Sequence, residues 1–536
     1  MPTLRAVRVL VFHGFLLQGT GSNVYNLNLV AALVRLGHEV HLLCQDRAPQ
    51  ELAFVDAVGD WDDGALRLRT LREPVRCTVY RPTLPGGLLP VYVADRYDGV
   101  EARPYPDLSE AEVDAYLAAN VAAVREVVAR ARPDVALANH LIPGPLVLAR
   151  GLGDIPYAVK IHGSALEYTV VPHPERFLAR AREGLAPARG VLVGSRHTAE
   201  RLWTTLQDPA LPARTRLGPP GVDVARFVPR TPAQARVGVA QLAGALAARA
   251  DATPAGTGDT ESAFARDDAA AAGALSDVAA GAEAGDRLVA FVGKLIVSKG
   301  IDLLLAAWPL VLQAQPRARL VVVGFGAYRA GVERLIAALA DGDLAAAAAL
   351  AAEGREAEGG PRAPLVHLQA FLESLWEPGE RERYLATAGT LRERVVLTGR
   401  LDHDELAELL PACEAQVVPS TFPEAFGMVA AEAAACGALP VCSDHSGLAE
   451  VAGALAEAVP VPVRPWLAFP VGAGSVRAIA ERVAAWLAVD PDVREQTRAA
   501  LVETVRERWS WEGVASGVVA AAEGRLDALP EPEPLS

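Results

Sequence analysis

Lysine is nearly absent from this sequence, and so is methionine. Only Lys160, Lys294 and Lys299 occur among the 51 lysine and arginine residues, and Met428 is the one methionine besides the initiator. Where arginine is so strongly preferred, a retained lysine favours a site that needs a compact point charge rather than a planar guanidinium, and chance placement of three residues is the alternative. All three lysines lie in or beside the motifs described below, so this scarcity draws attention to those motifs.

The sequence also lacks the features of a secreted, membrane-spanning or nucleic-acid-binding protein. Its five cysteines are odd in number and contain no Cys-x-x-Cys pair, which argues against a disulfide or zinc framework. No uninterrupted apolar run reaches the ~18 residues of a transmembrane helix, and the N-terminus lacks a signal-peptide cleavage site. The net charge of −14 and the lack of a dense basic run argue against a nucleic-acid partner. These absences predict a cytoplasmic protein and leave contact with a membrane surface open.

Alternating strand and helix patterns along the 536 residues predict an α/β fold with two domains. The expected parts are an N-terminal Rossmann-like domain at 1–225, a low-complexity insertion or linker at 226–287, a second Rossmann-like domain at 288–489 with a helical insertion at 341–392, and C-terminal helices at 490–536 that pack back on the first domain. Residues 232–286 are rich in small residues and are expected to bury little. Ligands of parallel sheets bind at the carboxyl ends of strands, so we expect a cleft between two facing domains.

The motif PEAFGMVAAEAAACG at 423–437 contains two glutamates, Glu424 and Glu432. We expect Glu424 in a loop that leads into a helix, because the N-terminus of a helix is a natural site for polar or anionic groups. A carboxylate there can accept hydrogen bonds from the vicinal hydroxyls of a ribose or a hexose. A helix with an acidic first turn and one exposed glutamate is the alternative interpretation. The predicted helix begins near Phe426 or Gly427, and the backbone N–H groups that would point into the cleft are those of Phe426, Gly427 and Met428.

A second motif, FVGKLIVSKGIDLLLAA at 291–307, places two cations on one strand-to-helix loop. The strand is predicted to end at Gly293, the loop carries Lys294 and Lys299, and the next helix begins near Gly300. Two cations in such a loop suit a diphosphate, whose charge must be neutralised as it leaves. Solvated lysines are the alternative, and the scarcity of lysine elsewhere favours the diphosphate site.

Two turns in the first half of the chain also follow predicted strands. In KIHGSALEY at 160–168, His162 can contact a sugar hydroxyl or assist the deprotonation of an acceptor, and a histidine packed at the strand end is the alternative. In QGTGSN at 18–23, Gly19 and Gly21 permit close approach of the backbone to a ligand. The third glycine of a dinucleotide-binding turn is replaced by Val24, so the signal for a nicotinamide cofactor is weak.

Two Asp-x-Asp strings, at 341–343 and 402–404, are of the kind that holds a cation on a diphosphate. The second string begins a predicted helix directly after a strand, where an N-cap aspartate and an acidic first turn account for it. The first lies in the alanine-rich insertion. We therefore predict no metal site and no cofactor.

Taken in order, these motifs resemble those of the family 4 glycosyltransferases of the GT-B fold. The resemblance covers nearly the whole chain apart from the two insertions, and it implies a retaining enzyme that moves a hexosyl group from a nucleoside diphosphate sugar to an acceptor hydroxyl. The family uses UDP-, GDP- and ADP-sugars and usually needs no metal. The segments that carry the resemblance are the Gly-rich first loop, GHEVHLL at 37–43, IHGSALEY, PPGVDVARFVP at 219–229, VGKLIVSKG, LTGRLDHDEL, the paired-glutamate motif and WSWEGVA at 509–515.

The resemblance also implies a role for each matched position. His162, Glu424 and Lys299 are the implied catalytic residues. The implied donor contacts are Glu432 with the ribose, Glu424 and the Phe426–Met428 backbone with the transferred sugar, Lys294 and Lys299 with the diphosphate, His162 with the sugar near the reacting centre, Gly19 and Gly21 on the diphosphate or acceptor side, and Arg400 and Leu401 near the base.

Two other functions fit the same fold. One is a sugar-nucleotide epimerase, which needs no acceptor, and the other is a non-catalytic protein that binds a nucleotide sugar or partners another transferase. The presence of His162, both loop lysines and both glutamates argues against the non-catalytic protein. The sequence does not distinguish a polyol, a glycan or a lipid as acceptor, and it assigns no oligomeric state.

Overall fold

The computed structural model describes residues 6–17, 21–92, 101–252, 266–375 and 377–532. The chain divides into two compact units. Unit 1 comprises residues up to Gly221 and from Trp509 onward, and unit 2 comprises Val222–Arg508. The chain therefore leaves unit 1 once and returns to it near its C-terminus.

Unit 1 is built on a nine-stranded sheet. Its strands are β1 (Arg8–Phe12), β2 (Glu39–Leu43), β3 (Ala57–Asp62), β4 (Ala65–Thr70), β5 (Cys77–Arg81), β8 (Val135–Asn139), β9 (Tyr157–Lys160), β10 (Gly190–Val193) and β11 (Thr215–Leu217), and β6 (Leu88–Val91) and β7 (Glu101–Pro104) form a separate parallel pair. The strand order is β11-β10-β9-β8-β1-β2-β5-β3-β4, and every pair is parallel except the β3–β4 hairpin.

Helices cover both faces of this sheet. They are α1 (Gly21–Arg35), α2 (Glu110–Ala131), α3 (Gly144–Gly151), α4 (Pro174–Leu185), α5 (Arg196–Leu206) and α19 (Trp511–Glu523). Successive residues of a strand point to opposite faces. Accordingly, Val9 and Val11 of β1 join one buried cluster with residues of α1 and α19, whereas Leu10 and Phe12 join another with residues of α2 and α3.

Unit 2 contains a six-stranded parallel sheet in the order β14-β13-β12-β15-β16-β17. Its strands are β12 (Arg287–Val292), β13 (Ala318–Val323), β14 (Val395–Gly399), β15 (Cys413–Val418), β16 (Leu439–Ser443) and β17 (Ala468–Phe469). Its helices are α6 (Pro232–Ala252), α7 (Asp268–Glu283), α8 (Ile301–Ala314), α9 (Arg329–Ala340), α10 (Leu344–Glu353), α11 (Val366–Ser374), α12 (Pro378–Ala388), α13 (Leu391–Arg394), α14 (His403–Leu409), α15 (Met428–Ala435), α16 (Ser446–Ala458), α17 (Ser475–Leu487) and α18 (Pro491–Arg508). The prediction of an α/β fold with two Rossmann-like sheets is confirmed.

The first insertion forms the helices α6 and α7, which pack on each other. Val239 and Leu246 of α6 and Leu275 and Val278 of α7 are buried, although the composition led us to expect little burial. Small side chains allow two helices to approach closely, so a few leucines and valines suffice to fill the contact. The second insertion contains α10, α11 and α12.

The C-terminal helices divide differently from the expected boundary at residue 490. Helix α18 packs on α15 and α16 within unit 2, and only α19 packs on α1, β8, β9 and β10 of unit 1. None of the helices in the described ranges is long and apolar enough to cross a membrane.

Candidate functional site

The strand order of unit 2 reverses between β12 and β15. The chain runs from β12 through β13 to β14 on one side, and from β15 through β16 to β17 on the other. The carboxyl ends of the two central strands therefore form a switch point, where ligands of parallel sheets bind. The predicted loop after β12 and the predicted motif after β15 meet there, since the Thr421 N–H donates to the Ser298 carbonyl over 2.9 Å.

Gly300 makes this close approach between the two loops possible. Its φ is +66°, and a Cβ at this position would lie 1.9 Å from the Pro419 carbonyl oxygen. A side chain is excluded both by the contact and by the left-handed backbone. The glycine thus sets the distance between the loop that carries Lys299 and the loop that carries Glu424.

Lys299 and Glu424 form an ion pair across these loops. The Ser420 hydroxyl donates to the same carboxylate oxygen, Oε1, over 2.6 Å. The backbone of Glu424 is also anchored, because its N–H donates to Ser446 Oγ over 2.9 Å and its carbonyl accepts from the Gly447 N–H over 2.9 Å. Both side chains of the pair remain partly exposed, so the ion pair is accessible to a ligand.

Helix α15 begins at Met428, one residue after Gly427 and two after Phe426, the two predicted starts. The first N–H groups of an α-helix have no acceptor within the helix, which makes this end a site for polar or anionic groups. A Cβ on Gly427 would lie 2.8 Å from the Leu448 side chain, so this segment packs tightly against α16. Phe426 and Met428 are both partly exposed.

Glu432 lies within α15 and is 4% exposed. Its Oε1 lies 3.1 Å from Nε2 of His403, the first residue of α14. Burial lowers the pKa of His403, but the Glu432 carboxylate outweighs burial and the net pKa is raised above the ordinary value. His403 was missed in the sequence, although it follows Arg400 and Leu401 in a predicted motif.

Arg400 and Leu401 connect β14 to α14 in the same part of unit 2. The Arg400 guanidinium lies over the Phe325 ring, 5.8 Å from its centroid, and donates to Asp402 over 2.9 Å. Leu401 is buried. Arg400 and Phe325 are both partly exposed, and the resemblance implies that the base lies near Arg400 and Leu401.

Lys294 follows β12 on the same loop as Lys299 and is partly exposed. This part of the loop lies against the turn after β13, because a Cβ at Gly324 would come within 2.1 Å of the Gly293 carbonyl oxygen. A Cβ at Gly326 would lie 2.5 Å from the Leu295 carbonyl oxygen. These two glycines were not singled out in the sequence, although the Gly-Phe-Gly string that follows β13 is visible there.

The two Asp-x-Asp strings are engaged in other contacts. Asp402 caps α14 in a capping box with Glu405, and Asp404 pairs with Arg226 at 2.7 Å. Asp343 caps α10 and Asp341 pairs with Arg392 at 2.7 Å. Within the ranges that the structure describes, no group of three or more His, Cys, Asp or Glu side chains is arranged to hold a metal ion.

Unit 1 has its own switch point, between β1 and β8, and a hydrogen-bonded chain of histidine and asparagine side chains lies there. His13 Nδ1 lies 3.0 Å from Asn26 Nδ2, Asn139 Nδ2 donates to Asn26 Oδ1 over 2.8 Å, and Asn139 Oδ1 lies 2.8 Å from His162 Nε2. Because Asn139 Nδ2 also donates to the Phe12 carbonyl, the amide orientation is fixed and His162 Nε2 must carry the proton.

Burial keeps these histidines neutral. It lowers the pKa of His13 to about 4, and it holds the pKa of His162 well below the ordinary value, with the neighbouring His140 and Lys160 adding to the effect. The rings of His140 and His162 are 4.8 Å apart. His13, Asn139 and His140 were missed in the sequence, although His13 follows β1 and Asn139 and His140 lie at the end of β8, much as His162 lies just after β9.

The predicted glycine loop of unit 1 is described only in part. Gly19 lies outside the described residues, and Gly21 is the first residue of α1. The glycine whose backbone conformation and surroundings disfavour a side chain is Gly14. Its φ is +76°, and a Cβ at this position would lie 3.1 Å from the Tyr116 hydroxyl. His162 and Gly21 belong to unit 1, and the other described site residues belong to unit 2.

Comparison with known proteins agrees with this architecture. Residues 19–226 match the family model described as Glycosyltransferase Family 4, and residues 377–507 match the model described as Glycosyl transferases group 1. The D-inositol 3-phosphate glycosyltransferase of Segniliparus rotundus is 28% identical over 253 residues, 46% of this chain and 42% of that protein. A glycogen synthase of Mycobacterium tuberculosis is 33% identical over 162 residues, 29% of this chain and 33% of that protein. The chain thus spans less than half the length of these curated relatives.

Solved structures resemble the whole chain. Sucrose-phosphate synthase from Thermosynechococcus elongatus has a TM-score of 0.54 at 18% identity, covering 97% of this chain and 100% of the other. The Anabaena protein Alr3699/HepE in complex with UDP-glucose has a TM-score of 0.52 at 14% identity, covering 98% of this chain and 100% of the other. Together, the two family models and these structures show that the chain is a glycosyltransferase of the GT-B fold. Within that class, this chain belongs to glycosyltransferase family 4.

Proposed function

We propose that this protein transfers a hexosyl group from a nucleoside diphosphate sugar to an acceptor hydroxyl, with retention of the anomeric configuration. The observation that carries the proposal is the Lys299–Glu424 pair at the switch point of unit 2. A lysine there would neutralise the leaving diphosphate, and a glutamate would accept hydrogen bonds from the sugar. Alr3699/HepE, which has a similar fold, has been solved with UDP-glucose bound.

In the proposed reaction, the bond between the anomeric carbon and the diphosphate oxygen breaks while the acceptor oxygen bonds to the same face of that carbon. The departing phosphate oxygen takes the acceptor proton, so no covalent bond to the enzyme forms. Lys294 and Lys299 neutralise the diphosphate, with the Phe426–Met428 backbone beside the sugar. Oε1 of Glu424 already accepts from Lys299 and Ser420, which leaves Oε2 for the sugar hydroxyls.

The remaining proposed donor contacts are those that the resemblance to family 4 implies. Glu432 would bind the ribose, and Arg400 with Leu401 would lie beside the base. His162 is neutral and donates through Nε2, so its Nδ1 lone pair can accept a hydrogen bond from a sugar hydroxyl. Gly19 and Gly21 are proposed to line the diphosphate or acceptor side.

We further propose that the enzyme works in the cytoplasm without metal or cofactor. The five cysteines are all buried free thiols, which fits a reducing compartment. The acidic side chains of both Asp-x-Asp strings are committed to helix caps or arginines. A diphosphate held by Lys294 and Lys299 would take its counter-charge from those lysines.

Thermal-shift titration with UDP, GDP and ADP, each with and without EDTA, tests this function. A ligand that binds only the folded protein raises its apparent stability. We expect one nucleotide to stabilise the protein equally in EDTA, and the matching α-linked donor to give an α-linked product by NMR. No stabilisation by any nucleotide contradicts the proposal, as does epimerisation of the donor sugar without an acceptor.

A further inference from the structure

We propose that the two insertions of unit 2 act as positioning elements for the donor site, with Glu358 and Arg266 as their positioning residues. The inference rests on the proposed function and extends it to segments outside the family motifs. Each insertion contains one largely buried charged side chain that contacts a segment with a proposed donor-binding residue. Glu358 reaches the diphosphate loop, and Arg266 reaches the helix beside the proposed ribose site.

Glu358 lies in the second insertion, in the short 3-10 turn Arg355–Glu358. Its side chain is 8% exposed, and its Oε2 accepts a hydrogen bond from the Val297 N–H over 2.7 Å. Its other oxygen, Oε1, accepts from Arg355 over 2.9 Å, which fixes the carboxylate in place. Glu358 therefore anchors the backbone of the loop that carries Lys294 and Lys299, which is called the diphosphate loop.

Val297 opens the 3-10 turn Val297–Lys299, and no side chain of the preceding residue caps that turn. The N–H groups at the start of a helical turn have no acceptor within the turn and need one from elsewhere. The Glu358 carboxylate supplies it. Lys299 closes the same turn, so a turn without this acceptor would present the lysine at a different place relative to Glu424.

The first insertion contacts α14 through arginine side chains. Arg266, just before α7, donates to Glu405 over 2.9 Å and to Asp402 over 2.5 Å. Arg249, in the last turn of α6, pairs with the same Glu405. The Glu405 side chain is 8% exposed, and although burial raises its pKa, the two arginines outweigh burial and lower it.

Glu405 and Asp402 flank His403 on α14. Asp402 caps the helix, and its own N–H donates to Glu405 Oε2 over 2.7 Å. Asp402 and Glu405 therefore form the capping box, and Arg266 contacts both of its acids. His403 in turn contacts Glu432. The insertion thus determines where α14 starts, and with it the position of His403 over the proposed ribose-binding carboxylate.

The experiment compares dissociation constants by isothermal titration calorimetry, well below the unfolding temperature, in the full-length protein. The probes are pyrophosphate, which tests the diphosphate loop alone, and UDP, GDP and ADP. The variants are Glu358→Ala and Arg266→Ala, with Glu358→Gln and Arg266→Lys as conservative replacements. Glu353→Ala, which removes an acid of α10 paired with Arg334, and Arg236→Ala, which removes an exposed arginine of α6, are the matched controls.

Loss of a buried, charge-assisted hydrogen bond predicts weakening by roughly tenfold. We expect Glu358→Ala to weaken pyrophosphate and the bound nucleotide alike, and Glu358→Gln, which keeps an acceptor oxygen, to restore most of the affinity. We expect Arg266→Ala to weaken the nucleotide but not pyrophosphate, and to raise the donor KM with little change in kcat. Arg266→Lys should recover little, because it cannot span both acids.

Three other outcomes are informative. If both alanine variants melt at lower temperature but bind every probe as the wild type does, the insertions serve stability alone and the inference is overturned. If Arg266→Ala weakens pyrophosphate as much as the nucleotide, the division between the two insertions is wrong. If the wild type itself binds none of the probes, the proposed function fails first and the inference falls with it.

Discussion

At the residue scale, Glu424 combines a fixed backbone with a side chain that faces a cation. Its backbone is held by Ser446 and Gly447, and its Oε1 by Lys299 and Ser420. The residue therefore contributes a preorganised acceptor to the site. Glu424 is proposed to bind the transferred sugar and not the nucleotide. Loss of its side chain should therefore affect hexosyl transfer more than nucleotide affinity.

We predict that Glu424→Ala abolishes hexosyl transfer while nucleotide affinity stays within about threefold, because the ribose and diphosphate contacts are proposed for other residues. Initial rates with the donor identified by thermal shift, together with nucleotide titration, measure both quantities. Glu457→Ala, which removes an exposed glutamate paired with Arg508, is the control. Unchanged turnover in Glu424→Ala would remove Glu424 from the proposed site.

The sequence allowed prediction of those site residues whose motif is local. Lys299 and Glu424 each stand in a short strand–loop–helix pattern, and strand ends in parallel sheets converge. The sequence could not show that the two residues pair, nor that His403 faces Glu432. The hydrogen-bonded chain His13–Asn26–Asn139–His162 was also not predicted. It depends on the pairing register of β1, β8 and β9, which are far apart in the sequence, so the register cannot be derived from local patterns.

At the scale of single elements, α8 begins with an acid in an apolar setting. Asp302 is the second residue of the helix and is 3% exposed. Burial raises its pKa to about 7, against hydrogen bonds from its own N–H and that of Leu303, which lower it. The helix N-terminus favours the charged form, but burial outweighs that preference.

The raised pKa predicts a pH-dependent stability. Between the unfolded pKa near 4 and the folded value of about 7, the folded state binds more protons, so stability falls as pH rises through this window. Asp302→Asn removes the titration and should stabilise unit 2 above pH 7, by on the order of 4 kcal/mol for a shift of this size. Urea unfolding followed by intrinsic tryptophan fluorescence, to which Trp308 in the same helix contributes as a buried side chain, measures the change.

Asp492→Asn is the matched control, because Asp492 is also the second residue of its helix, α18, and is exposed. It should show no comparable change between pH 4 and pH 8. Equal pH profiles for the wild type and Asp302→Asn would mean that Asp302 ionises in the folded protein as it does in the unfolded chain.

The insertion helices show why composition misled the prediction of burial. Residues 232–286 contain few large apolar side chains, and a segment of this kind can remain without a core. In the structure, Gly238 lies so close to Glu408 of α14 that a Cβ would come within 2.8 Å of the carboxylate. Glycine and alanine are therefore packing residues in this segment. Composition alone cannot distinguish a helix that packs closely through small residues from a segment that does not pack at all.

At the scale of the whole molecule, the boundary of the C-terminal return was expected at residue 490 and lies at Trp509. The apolar residues Leu501, Val502 and Val505 of α18 are buried, but their spacing in the sequence does not show what covers them, and the partners of α18 are α15 and α16. The final segment carries a stronger signal, since WSWEGVA belongs to the motifs of the resemblance. Trp511 is buried in unit 1, where a Cβ on Gly221 would come within 2.6 Å of its ring.

Removal of residues 509–536 should therefore weaken unit 1 and leave unit 2 largely folded. Trp511, Ala515 and Val518 of α19 lie in the same buried cluster as Leu29 and Leu33 of α1, so the truncation exposes the part of that sheet face formed by β8, β9 and β10. Trp511→Ala alone should destabilise unit 1 by roughly 3–5 kcal/mol, the usual cost of emptying a buried tryptophan site. Hydrogen exchange should show lost protection in β8, β9 and β10, with protection retained in β12, β13 and β15. Removal of residues 533–536 is the control, and equal loss of protection in both sheets would show that the two units unfold as one.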